Sequence, residues 1–476
     1  MKVNLSVFLE ETRPIARQLV DELLKTYTYV SLLGADSMGK RYMVKKTGVD
    51  INDARFSERG FVLRVHNSVG YMEYAFNELS IDKIPEIISK INEKSNYLKE
   101  QLKNANLVQI KYEKLIEDSM KKDFNEDVAI LPENISYKDK LAKMRDIMEK
   151  TFDLSDELID VRVIYEEMNI SKIFISKEKD LSQAYIWSNT YIIPIASKNS
   201  QVKYIHLGSS GLKGVEILDE LYDLYEDSIK QLNYVLNAKT IEPGEYDVIL
   251  NPEVSGLVAH EAFGHGVEMD MFVKGRANAV HYLNKAVASK LVNMYDGAAS
   301  AREVSSYFFD DEGVIAGDTK IIDKGIFKTG ISDNLSAERL GIKSTGNGKR
   351  QTFEHKAYSR MTNTFFGEGN NSLESMIASI DYGFLLESFN SGMEDPKNWG
   401  IQCVISRGRE IKNGKFTDKV FAPIIMTGYV PDLLKSISMV SKGVELSGSG
   451  YCGKGYKEFV KTSIGGPYIK ARGKLS

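Results

Sequence analysis

Cysteine and tryptophan are scarce: two of each in 476 residues. Cys403 and Cys452 can form one disulfide at most. One bridge contributes little to a chain of this length, so in a reducing compartment each cysteine is better read as core filler, ligand or nucleophile. A surplus of charge is also missing, since 62 Lys and Arg against 66 Asp and Glu leave a net charge of −4. Phosphate binding runs on a basic excess, so nucleic acid is excluded as a main partner. No apolar run approaches the roughly 18–20 residues that a membrane span needs. The longest, 191–196 and 421–426, each contain a proline. Glu10, Glu11 and Arg13 stand where a signal peptide needs an uninterrupted apolar stretch, so a cytoplasmic location and no membrane contact are expected.

What is present is an ordinary globular composition, 42% hydrophobic and 27% charged, with material for two or three domains. Three stretches are expected: 1–105, 106–240 and 241–476. In the first, residues 10–24 read as a helix. Strands 59–66 and 71–76 flank the turn residues Asn67-Ser68-Val69-Gly70 as a hairpin. A helix capped by Asp82 follows, with Ile84, Ile88, Ile91, Leu98 and Leu102 on one face. The second stretch has a charged helix at 137–151 and strands at 159–165, 172–176 and 184–195. It ends in a helix whose Leu218, Leu221, Tyr225, Ile229, Leu232 and Leu236 recur every three or four residues. The third is richer in turns. Asp323-Lys324-Gly325 separates two short strands, and Asn413-Gly414 marks a tight hairpin because Asn-Gly tolerates positive φ. The expected fold class is α+β: an N-terminal α/β part of hairpins and helices, then a mainly antiparallel β domain carrying one important helix.

That helix holds His260-Glu261-Ala262-Phe263-Gly264-His265, with Glu268 three residues on. An H-E-x-x-x-H match arises by chance about 0.005 times in a chain of this composition, so coincidence explains it poorly. Strand-like 246–250 precedes it and Asn251-Pro252-Glu253 reads as a helix start. The familiar H-E-x-x-H puts its histidines about 40° apart on one helix face; one more residue makes that about 140°. Two imidazoles on a regular helix could not then share an ion. A π-turn would bring them together, and Gly264 and Gly266 favour irregular backbone. A distorted or terminated helix between His260 and His265 is therefore predicted.

The residue types suggest a metal centre. Neutral imidazoles suit zinc, and an open catalytic site takes three protein ligands plus water. Glu261 is placed to accept a proton from that water, and Glu268 could orient His265 or ligate. For the third ligand Cys452 is favoured: it lies in the glycine-rich segment Gly448-Ser449-Gly450-Tyr451-Cys452-Gly453-Lys454-Gly455, read as an exposed loop in which Lys454 would promote the thiolate. Cys403, in an apolar strand, reads as core. The same segment spells G-x-G-x-x-G, but only 23 residues follow Gly453, with no helix pattern, so a dinucleotide site is rejected.

The motif at 260–268 resembles the H-E-A-x-G-H-x-x-E signature of the TldD/PmbA metallopeptidase family. The resemblance continues through Tyr295-Asp296-Gly297, Asp310-Asp311-Glu312-Gly313, 345–350, 360–364 and Gly450-Tyr451-Cys452-Gly453-Lys454. It implies a catalytic, TldD-type peptidase acting on unfolded or modified peptides in the cytosol. His260, His265 and Cys452 would hold one Zn2+, other divalent metals also being compatible, and Glu261 would be the general base. It also implies a dimer, either of this chain or with a related PmbA/TldE-like chain. Gripping a backbone irrespective of its side chains calls for strand addition to a sheet edge, with Asn347, Arg360 and Asn363 as groove candidates. The competing reading is a peptide-binding, non-catalytic subunit with a structural metal, for which Glu268 is the candidate fourth ligand.

Overall fold

The computed structural model describes residues 1–67, 70–104, 112–448, 450–455 and 458–476. The first half builds one nine-stranded sheet. Its main path runs through strands Tyr71–Phe76, Glu58–His66, Tyr29–Lys45, Leu158–Ser176, Lys179–Lys198 and Met120–Asn125. Strands from 1–105 and from 106–240 thus share a single layer, and the expected division at 105/106 falls where the described residues break off. Ser68 and Val69, expected in the hairpin turn, also lie outside the described residues, although the strands on either side pair from Phe61↔Phe76 to His66↔Tyr71.

Two of the strands are much longer than the sequence suggests. Leu158–Ser176 has 19 residues and Lys179–Lys198 has 20. The expected gap at 166–171 is continuous strand because its polar residues are buried too: Glu167, for example, accepts the Lys140 ammonium at 2.9 Å. One face of the sheet packs on helices. Val30, Leu32, Ile173 and Ile175 meet Val7–Leu24 and Ile84–Asn104, while Tyr42, Val44, Val163 and Ile192 meet Tyr137–Phe152 and Tyr225–Leu236. Residues of opposite parity on the same strands face the C-terminal half, as pleating requires. The helix expected from Leu218 to Leu236 is two pieces, a 3-10 helix Val215–Asp223 and the α-helix from Tyr225. The helix at 84 is entered through a 3-10 turn, Ile81–Lys83, with Ser80 rather than Asp82 at the cap position.

The C-terminal half contains a seven-stranded sheet. Strands Gly244–Leu250, Tyr382–Asp395, Gly400–Lys412, Ile424–Tyr429 and Ile469–Leu475 pair in that order, and the last returns to pair with the first, closing a ring. A six-stranded sheet lies beside it. Most pairings are antiparallel; Gly244–Leu250 with Tyr382–Asp395 is parallel. The Asn413-Gly414 turn has φ of 53° and 72°, as a tight hairpin requires. Between the sheets sits the helix Pro252–Val258, surrounded by the largest apolar cluster of the molecule.

Charged side chains join the two halves. Lys172 donates to Asp311 at 2.6 Å, Arg64 meets Glu312 at 2.5 Å, and Arg350 donates to Glu73 at 2.8 Å. Gln183 donates to the Phe309 carbonyl at 2.9 Å. No helix among the described residues is long and apolar enough to cross a membrane.

Candidate metal centre

The helix carrying the motif starts where its capping residues dictate. Asn251 accepts the Val254 N–H through its side chain at 2.9 Å, and Pro252 occupies the first turn, where a missing N–H costs nothing. After Val258 the backbone widens into a π-helix over Ala259–Gly264. Gly264 ends that turn against Met361: a Cβ there would stand 2.3 Å from the Met361 sulfur. The widened turn turns both imidazoles to one side, with ring centroids 4.9 Å apart and nearly perpendicular.

Cys452 arrives from the far end of the chain. It lies on a strand, Tyr451–Lys454, hairpinned with Glu458–Lys461 and buried, not on the exposed loop expected from its glycines. Its sulfur is 3.3 Å from His265 Nε2. Donor atoms of His260, His265 and Cys452 lie within 4.8 Å of one another, and all three residues are buried. Burial alone would raise the Cys452 thiol and lower both imidazoles. The opposite holds: the facing rings keep the thiol well below its usual range, and the sulfur keeps both histidines raised.

Two further observations fit a metal ion to this set. His260 Nδ1 is buried with no hydrogen-bond partner, a costly state for a polar atom unless something else binds there. His265 Nδ1 faces Glu268 at 3.3 Å, the carboxylate contact that usually orients a ligating imidazole through its other nitrogen. Glu268 lies outside the three-donor group. It is held instead by Lys454 at 3.1 Å, with Arg360 at 3.7 Å. Burial would raise its pKa, but Lys454, His265 and Arg360 bring it down to about 2. Lys454 therefore serves Glu268 and Asp270 (2.6 Å), not the Cys452 sulfur as expected.

Glu261 opens onto a cavity of about 370 Å³ shared with His260, His265 and Cys452. The strand Tyr382–Asp395 forms its opposite wall. Gly392 is there because of Glu261: a Cβ would stand 2.4 Å from the Glu261 Cγ. Glu394 shares the space, its carboxylate within 4.8 Å of donor atoms of Glu261 and His265. Burial pushes Glu394 up to about 7, with Glu261 adding to the rise against the pull of His265.

The three groove candidates are elsewhere. Asn347, Arg360 and Asn363 are at most 1% exposed and are tied up in the fold. Asn347 donates to Asp296 at 2.8 Å, and Asn363 donates to the Gly297 carbonyl at 3.1 Å. Arg360 donates to the carbonyls of Cys452 (2.6 Å) and Glu458 (3.2 Å), holding both strands of the ligand hairpin. All three are buried in the fold and none lines the cavity beside Glu261. Cys403 is buried core, as expected. Sequence reasoning missed Gly392 and Glu394, which no motif marks.

The chain is similar to proteins named as metallopeptidases. Residues 243–473 match the PmbA/TldA metallopeptidase C-terminal domain. A metalloprotease of Methanocaldococcus jannaschii is 30% identical over 328 residues, 68% of this chain and 71% of that protein. The chain belongs to the PmbA/TldD metallopeptidase family. A metalloprotease TldD homolog of Buchnera aphidicola is 33% identical over 236 residues, 49% of this chain and 48% of the relative; the chain thus spans about half the length of that family member. The fold extends further than the sequence match. TldE from Thermococcus kodakarensis superimposes with a TM-score of 0.76 at 17% identity, covering 97% of this chain and 100% of its own.

Proposed function

We propose that this chain is a zinc peptidase that hydrolyses unfolded or modified peptides, with His260, His265 and Cys452 holding one ion and Glu261 acting as general base. The observation that carries this reading is the convergence of two imidazoles and one sulfur, from positions almost 200 residues apart, beside a carboxylate that faces the same cavity. Zinc suits a set of two nitrogens and one thiolate, and three protein donors leave a coordination position open. A bound zinc ion supplies a Lewis acid that acidifies water and polarises a carbonyl.

The chain's own groups do the rest. Glu261 takes the proton from the attacking water on a carboxylate oxygen and returns it to the departing amine. Gly392 leaves that carboxylate its space. Glu268 fixes His265, and Arg360 fixes the Cys452 hairpin. The strand Tyr382–Asp395 supports the peptide reading. Its parallel neighbour stops at Leu386, so among the described residues the edge from Glu387 onward lies open beside Glu261. An extended peptide can add there through main-chain hydrogen bonds with little regard for side chains. Pairing with a second copy or a TldE-like chain belongs to the same proposal, supported by the shared fold. A structural zinc would need a fourth protein ligand, and Glu268, the candidate for it, is engaged instead by Lys454 and His265.

Metal analysis together with cleavage of an unstructured peptide by wild type and Glu261→Gln tests this. The variant should keep its zinc and lose about a thousandfold in kcat. Undiminished turnover would remove Glu261 from the mechanism.

A further inference from the structure

Next to the metal cavity a larger groove of about 640 Å³ opens between the two halves of the molecule. The two spaces share Phe389, Asn390, Ser447 and Gly450, and Phe389 also faces a third recess farther out. The floor is the face of the long sheet turned away from its helices, and the strand register orders it into rows. Arg41 lies opposite Glu166, Met43 opposite Ile164, and Ile164 opposite Tyr191. Arg162 and Ile193 form the next row. The Glu166 row is nearest the metal, since the Tyr451 hydroxyl, one residue from Cys452, reaches Glu166 at 3.5 Å. From Glu166 to Arg162 the floor extends about 13 Å, room for about four residues of extended peptide.

Some of the charges of this groove are answered within the protein. Arg162 donates to Asp160 at 3.1 Å, Glu253 accepts from Ser388 at 2.7 Å, and burial lowers the His206 imidazole. Among these polar groups runs one apolar strip: Met43, Ile164 and Tyr191 below and Phe389 above, Met43 and Phe389 being only half-buried. The backbone places Phe389 there through a bulge between Phe389 and Ser391 and through Ser388, whose φ is 54° and whose hydroxyl donates to Glu253 at 2.7 Å.

We infer that this strip is a specificity subsite that takes an aliphatic or aromatic side chain of the substrate, a few residues along from the bond to be cut. The inference rests on the peptidase reading for its occupant, a peptide whose cleaved bond lies in the adjoining cavity. Recognition would then have two parts. The open strand edge grips any backbone, and the groove favours chains with an apolar residue at one spacing. Such residues are buried in folded proteins and accessible in unfolded ones.

Binding separates this from catalysis. Zinc-loaded Glu261→Gln protein is titrated with fluorescein-labelled unstructured peptides that carry Leu, Gly or Lys at each position in turn, followed by anisotropy. At one position Leu should bind about tenfold tighter than Gly. Met43→Glu should bring that ratio to about one and turn preference toward Lys, with zinc content unchanged. Phe389→Ala, on the opposite wall, should lower the Leu/Gly ratio even if Met43→Glu fails to fold. A ratio near one at every position in the parent, or an unchanged ratio in the folded variants, overturns the subsite. If zinc-loaded wild type cleaves none of these peptides while the Leu preference and its loss in the variants persist, the hydrolytic reading fails and the subsite stands.

Discussion

Two groups of buried charge in this molecule have opposite character. Along the seam between the halves three cations have each found a carboxylate: Lys172 with Asp311, Arg64 with Glu312, Arg350 with Glu73. In the metal cavity the groups are left facing one another. His260 Nδ1 has no partner, a sulfur meets two imidazoles, and the Glu261 and Glu394 carboxylates share a space with His265. Burying polar groups is costly unless they are answered. These three seam pairs meet that cost internally and are structural. The cavity leaves it unmet, which makes sense where a cation and a polar substrate complete the set.

The sharpest way to break this contrast is to remove a donor from the cavity. Cys452→Ser should weaken zinc binding at least about 100-fold by equilibrium dialysis, since losing even an outer contact of a metal site costs 10–100-fold. The unbound protein should remain folded, because Arg360 grips the hairpin through the Cys452 carbonyl and not its side chain. Unchanged zinc affinity would mean that the three donors meet for packing alone. The matching change at the seam is Arg350→Met. It strips Glu73 of one of its two guanidinium partners and should cost about 2 kcal/mol in urea unfolding. Zinc content should not move. A variant that loses metal as well would show that the two regions are not independent.

The contrast also explains what could be read from the sequence. His260, Glu261 and His265 are contiguous and chemically distinctive, and only two cysteines competed for the third place, so the centre was legible. The π-turn was legible too, because five-residue spacing on a regular helix cannot bring two rings together. Arg360, Gly392 and Glu394 were not. Arg360 reaches Cys452 across 92 residues, and Gly392 matters only because the Glu261 side chain occupies its space. The long strands failed for a related reason. Glu166, Glu167 and Ser171 look like solvent-facing residues, but the sheet is covered on both sides, and partners such as Lys140 come from elsewhere in the chain. Period-two alternation fades when both faces are buried.

Acid offers a finer test of the seam. Burial would raise the Glu73 carboxyl, but Arg64 and Arg350 overcome it and hold the group well below its ordinary 4.5. A carboxylate depressed in the folded state adds stability above its unfolded pKa and loses it as pH falls toward the folded value. In Arg350→Met one of those two cations is gone, so less of this contribution remains to lose. The stability gap between wild type and Arg350→Met should therefore be widest near neutral pH and narrow once the pH falls below the variant's own folded Glu73 pKa, where the variant binds a proton that wild type still excludes. Urea unfolding at successive pH values measures it directly. A gap that stays constant through the pH range in which the variant's Glu73 carboxyl is seen to protonate would assign the effect of Arg350 to the packing of its side chain and not to its charge.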